Sequence, residues 1–132
     1  MKKSFLTIIF SALLFSSASF AQDAMKKALD DFHQTLAFTY HPMVDDSNFT
    51  PIRSRSHELA QKAEGIEKAL ESEKDKLKGI ESSVEQLEEQ CEALDGIIQK
   101  GATDDAIRSQ LSSIHERFHE LESSVSKLEN QK

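Results

Sequence analysis

An apolar repeat over residues 107–128 constrains the fold more than any other feature of the sequence. Its members follow one another at spacings of four and three residues, the pattern of a helix with one buried stripe. They are Ile107, Leu111, Ile114, Phe118, Leu121, Val125 and Leu128. His115 and His119 flank the stripe one turn apart, so both side chains point the same way. Such a pair can bind one metal ion if another element supplies the remaining ligands, or it can lie there without a ligand.

The first residues of the chain predict an export signal. Two lysines precede an apolar run over residues 5–15, and Ser19 and Ala21 offer small residues at the −3 and −1 positions of a cleavage site. We therefore expect residues 1–21 to be a cleaved signal peptide and residues 22–132 to be one helical bundle domain in a bacterial periplasm. The apolar run is too short to span a membrane and no second one follows, so we expect no span in the mature chain.

Composition limits the size, the fold class and the partners that we expect for the mature chain. Its 111 residues (132 − 21) are enough for one small domain. Removal of the signal peptide takes away two lysines, so the net charge changes from −7 to −9. A chain this acidic is not expected to bind nucleic acid or an anionic membrane surface, because like charges repel. Helix-forming residues dominate, and only two prolines and four glycines occur, so the sequence predicts an all-α fold.

The predicted helices fit an antiparallel up-down-up-down four-helix bundle. We expect helix 1 over residues 23–40 and a loop over residues 41–50, because a residue that precedes proline, here His41, is biased out of helix. Gly101 can adopt a left-handed cap after helix 3, and Thr103 can cap helix 4.

The boundary between helices 2 and 3 leaves an alternative open. Apolar residues from Leu59 to Ile98 hold almost one heptad register, and its one gap is Glu73. A tight turn near residues 72–76 gives four helices of similar length, which we favour. The alternative is three helices, with one long central helix over residues 50–100 that packs along helices 1 and 4 or pairs with a second copy of the chain.

Histidines of helices 1 and 4 are predicted to lie at one level of this bundle. His33 is ten residues from the start of helix 1, and His119 and His115 are ten and fourteen residues from the end of helix 4. Because neighbouring helices are antiparallel, these positions lie roughly 15–21 Å from the same end. The flanks either converge or diverge with the hand of the bundle; if they converge, the three rings line one groove and His41 stands at its upper end.

A site of three or four neutral imidazoles suits a transition metal of the zinc or copper class. Asp30 and Glu122 could accept hydrogen bonds from the ligand rings, and Asp45 and Asp46 could add oxygen ligands from the loop. Residues 115–119 also match the H-E-x-x-H pattern of zinc peptidases. We expect no enzyme activity, because charged residues surround the pattern and little chain remains to build a substrate cleft.

The layout resembles the small periplasmic b-type cytochromes and, more loosely, the cytochrome c prime bundles. The resemblance covers the export signal, the chain length, the glycine turn before helix 4 and the pair Phe118-His119 near its end. It implies a haem-binding electron carrier in which His119 and Met25 would ligate the iron of haem b, with His33 as another possible partner of His119. A third hypothesis is a non-catalytic helical module that binds another periplasmic protein or forms a homodimer.

Overall fold

The structure, a computed structural model, describes the backbone of residues 17–131 and the side chains of residues 24–131. This part of the chain forms four α-helices: α1 Ser17–Asp46, α2 Thr50–Glu71, α3 Glu81–Gln99 and α4 Asp104–Glu129. Residues 1–16, which hold most of the predicted signal peptide, lie outside the described residues, and cleavage after Ala21 stays a prediction.

The four helices form the predicted antiparallel bundle. Each helix packs against the next one along the chain, and α1 also packs against α4. Over the described residues the diagonal pairs, α1 with α3 and α2 with α4, do not approach each other. Short connections between successive packed helices give the up-down-up-down topology. The all-α four-helix class is therefore confirmed, and the alternative with one long central helix is wrong.

The corner between α2 and α3 explains why the heptad register left two interpretations open. It occupies residues 72–80, four residues beyond the predicted turn. Leu77 and Ile80 within the corner are buried although neither belongs to a helix. Gly79 supplies the left-handed conformation that the reversal needs, with φ 95°. An unbroken apolar pattern therefore reflects an unbroken core, and it does not require an unbroken helix.

The end of α1 corrects the predicted loop over residues 41–50. The helix continues through Pro42 to Asp46, although proline removes a backbone donor and crowds the preceding turn. Met43 in this added turn is fully buried, and the Arg108 guanidinium of α4 donates a 3.3 Å hydrogen bond to its carbonyl. Tertiary contacts thus stabilise a turn that local preference disfavours. The helix ends where Ser47 adopts φ 51°.

The α3–α4 turn confirms both predicted caps. Gly101 has φ 81°, and the backbone N–H groups of Gly101 and Ala102 donate to the carbonyls of Ile98 and Ile97, which is the Schellman arrangement. The Thr103 hydroxyl accepts a 3.2 Å hydrogen bond from the backbone N–H of Ala106. These caps determine where α4 begins and therefore the height of its histidines.

One continuous apolar core joins all four helices. Between α1 and α4 it contains Phe32 and Phe118, both fully buried, with ring centroids 4.8 Å apart and ring planes inclined by 38°. Offset or tilted aromatic pairs at this separation stabilise a core beyond their area burial. Within residues 17–131 none of the four helices combines the length and the apolar content that a membrane span needs.

Acidic side chains crowd the contact between α2 and α3. Burial, the neighbouring Glu67 carboxylate and the charges of Glu92 and Glu64 raise the pKa of Glu88 from its ordinary value of 4.5 to about 7. Between pH 4.5 and 7 the folded protein therefore holds a proton that the unfolded chain has lost. Stability contributed by this group falls as the pH rises through that window.

We predict that Glu88→Gln stabilises the protein at pH 8 and flattens the decline in stability between pH 5 and 8. The gain should be about 1 kcal/mol or less, because the side chain is partly exposed and solvent screens its charge. Urea unfolding at both pH values measures it. Glu85→Gln, which removes one exposed negative charge from the same helix, is the control, and equal pH slopes in the two variants would contradict the prediction.

Candidate metal centre

The histidine-bearing flanks of α1 and α4 converge, which is one of the two arrangements that the sequence left open. His33 follows Phe32 in α1, and His119 follows Phe118 in α4, so the contact of the two phenylalanines brings both imidazoles to one level. The ring centroids of His33 and His119 are 5.6 Å apart at an edge-to-face angle of 86°. The His33 ring also lies 5.4 Å from the Phe118 ring, so it borders the core.

His115 and His119 approach each other closely. Their Nε2 atoms are 3.1 Å apart, and their rings are nearly perpendicular with centroids 4.5 Å apart. Two nitrogens bound to one ion at about 2.0–2.1 Å lie roughly 2.8–3.4 Å apart for angles between about 90° and 109°. The measured separation falls in this range. A hydrogen bond between the two rings needs a proton on one of the Nε2 atoms, and a cation bound to both would take the place of that proton.

Glu122 contacts two of the three histidines from one side. Its Oε2 lies 3.1 Å from Nδ1 of His119, and its Oε1 lies 3.8 Å from Nδ1 of His33. An Nδ1–H of His119 that donates to this carboxylate leaves Nε2 unprotonated and directed at His115. Asp30, the other predicted hydrogen-bond acceptor, pairs with Lys26 on its own helix instead.

Tyr40 is a site residue that the sequence analysis missed. Its ring stacks on His115 with centroids 3.9 Å apart and an interplanar angle of 8°. The spacing did not indicate this contact, because Tyr40 lies about 10.5 Å along α1 from His33 whereas His115 lies about 6 Å along α4 from His119. The stack covers one face of the His115 ring and limits its rotation.

His41 lies beside this group of rings rather than within it. The side chain is 62% exposed, and its Nδ1 is 3.9 Å from Asp45 one turn further along α1. Its ring is 5.9 Å from that of Tyr40, which separates it from His115. His41 was predicted to leave the helix, and Asp45 and Asp46 to lie in a loop; all three belong to the last turns of α1.

The surroundings of His115 favour its neutral form. Burial lowers its pKa, and the charges that His119, His41 and His33 carry when protonated lower it further, against a small opposing effect of Glu116. An imidazole must be neutral at the coordinating nitrogen to bind a metal ion. The surroundings of this ring therefore favour the neutral form from which coordination starts.

The rings do not form a completed coordination sphere. Among residues 24–131 no group of three histidine, cysteine, aspartate or glutamate side chains stands in a metal-holding arrangement. The Nε2 atoms of His115 and His119 have the spacing of two ligands of one ion, whereas the His33 ring meets the His119 ring in a T-shaped contact. The His33 side chain is 46% exposed.

The haem arrangement finds no support in the packing. Met25 is fully buried in the core, whereas the His119 side chain is 44% exposed on the outer flank of α4. The Phe32 and Phe118 rings, which are tilted against each other, occupy the core between the two helices, where a haem would need an apolar slot. These residues do not fit the group, and ligation of haem by His119 and Met25 stays a prediction without a structural observation in its favour.

Comparison with known proteins adds nothing to the interpretation of this site. A scan against protein-family models, a search of curated proteins and a search of solved structures each returned no match. The resemblance to b-type cytochromes therefore stays a prediction.

We predict that the aromatic protons of His115 resonate upfield of their usual position, because they lie over the face of the Tyr40 ring. Proton–carbon NMR of the imidazole groups measures this shift, and Tyr40→Leu should abolish it. His57, which is exposed on α2 and contacts Asp95, provides the reference signal. A His115 spectrum that is the same in both proteins would show that the stack does not form in solution.

Proposed function

We propose that this protein binds a transition metal ion of the zinc or copper class through His115 and His119 of α4, with His33 of α1 as the third ligand. The observation that carries the proposal is the 3.1 Å separation of the two Nε2 atoms, which is the spacing of two nitrogens on one cation. Residue spacing alone would place the rings on one face but would not direct these two atoms at each other.

Three surrounding features support the proposal. Glu122 orients His119 through Nδ1, and Tyr40 orients His115 by stacking, so both ligands are held in position before binding. The lowered pKa of His115 favours its neutral form. Neutral imidazoles prefer zinc and copper(II) to magnesium or calcium, whose ligands are oxygen atoms.

The proposed setting is the periplasm, and the proposed role is non-catalytic. The location rests on the export signal in residues 1–21. Glu116, the glutamate of the H-E-x-x-H match, is exposed and borders an open groove along α4 rather than an enclosed substrate cleft. Metal binding alone therefore explains the histidines, and we propose no catalysed reaction.

We predict that zinc titration by calorimetry detects one site in the wild-type domain, and that His115→Ala and His119→Ala each weaken it by more than about tenfold. His33→Ala should weaken it to a smaller extent, because that ring is further from the pair. Glu122→Gln should cost roughly 10–100-fold, the usual effect of losing a partner of a ligand ring.

His57→Ala is the matched control for this titration. It removes an exposed histidine that also contacts a carboxylate, Asp95 at 3.2 Å, but lies on α2 outside the site. Its zinc affinity should equal that of the wild type. Equal affinities in His115→Ala, His119→Ala and His57→Ala would overturn the proposed function.

A further inference from the structure

A single chain offers two ligands of good geometry at the histidines. The Nε2 atoms of His115 and His119 are 3.1 Å apart, the spacing of two nitrogens on one cation. The His33 ring meets the His119 ring edge to face, and within residues 24–131 no three potential ligand side chains are grouped to hold a metal. Since zinc in proteins has four ligands, one chain leaves the coordination sphere incomplete.

The pair can be reached from outside the bundle. The His119 side chain is 44% exposed, and the Tyr40 ring stacks on one face of His115. Both histidines border a groove that is lined by residues of α4 alone, among them the short side chains of Ser123 and Ser124. A second protein surface can therefore approach the two rings along the outer side of α4.

We infer that two copies of this chain share one transition metal ion, to which each copy contributes His115 and His119; the inference rests on the proposed function. Two such pairs supply four imidazoles, which complete a tetrahedral set. His33 is the third ligand when one chain binds the ion alone, and the second pair takes its place when two chains meet. A two-fold axis through the ion relates the copies, so the same surface of each forms the interface.

The direction of the pair determines how the two copies meet. Residues one turn apart lie one above the other on a helix, so the line between the two Nε2 atoms follows the axis of α4. In a tetrahedral set, the line between two ligands is perpendicular to the line between the other two. The two α4 helices therefore cross at a steep angle and touch only around the ion. This contact is small beside the roughly 1,200 Å² or more that a stable interface buries, so the ion must hold the copies together.

Charge also makes the pairing depend on the ion. Glu116 and Glu120 are exposed beside the histidines, close to the two-fold axis, and there they approach the same residues of the second copy. Lys127 lies about two turns beyond His119 and is too far along the helix to offset them. The whole chain has a net charge of −7, so two copies repel each other most strongly at low salt. The protein should therefore be a monomer without the metal and a dimer with it.

Sedimentation velocity across a zinc titration of the mature chain tests this inference. We expect a monomer without zinc, a dimer fraction that peaks near one zinc ion for every two chains, and a monomer again after addition of EDTA. His115→Ala and His119→Ala should abolish the dimer, whereas His33→Ala should keep it.

A charge variant tests the predicted position of the interface. Glu116→Gln/Glu120→Gln should lower the dissociation constant of the zinc-bound dimer severalfold at low salt, because it removes like charges beside the two-fold axis. The control Glu85→Gln, which removes an exposed charge from α3 outside the groove, should leave this constant unchanged. Equal constants in the two variants would overturn the proposed interface.

The outcomes separate this inference from the proposed function. Absence of zinc binding in the calorimetric titration overturns both. Chains that bind zinc but stay monomeric at every ratio of zinc to chain overturn the shared site alone, as does a dimer that forms equally well without zinc or with His119→Ala. His115→Gln and His119→Gln, which keep more of the side chain, replace either alanine variant that loses its helical circular dichroism signal.

Discussion

The contact between Phe32 and Phe118 determines the geometry on which the candidate site depends. It joins α1 to α4 at a centroid distance of 4.8 Å in the buried core, and it therefore sets the relative height and rotation of the two helices. Because His33 and His119 each follow one of these phenylalanines, apolar packing brings two polar rings together at the surface. A metal is not needed to create this proximity, which follows from the hydrophobic effect.

The histidines are oriented by neighbours from both helices. Glu122 interacts with His119 on its own helix and faces His33 across the interface, and Tyr40 reaches from α1 to cover His115. Each contact restricts a ring that would otherwise rotate in solvent, which lowers the entropy lost when a ligand binds. The arrangement therefore belongs to the α1–α4 interface as a whole rather than to the i, i+4 pair alone.

The corrections to the predicted helices share a physical cause. Local rules ended α1 before Pro42 and limited the corner to residues 72–76, and both rules consider only neighbours along the chain. Burial of Met43 extended α1, and burial of Leu77 and Ile80 kept apolar residues in a corner that is not helical. Propensities of a few tenths of a kcal/mol to a few kcal/mol yield to tertiary packing of comparable size.

The sequence by itself determined the all-α class, the caps at Gly101 and Thr103, and the equal heights of His33 and His119. These follow from periodicity, turn chemistry and the rise per residue, all of which are local. The sequence favoured four helices over three without deciding between them. Only the tertiary structure decided that the flanks converge and that Tyr40 stacks on His115. Helical periodicity is identical for both hands of a bundle, so the side on which α4 packs against α1 emerges only when all four apolar stripes are buried together.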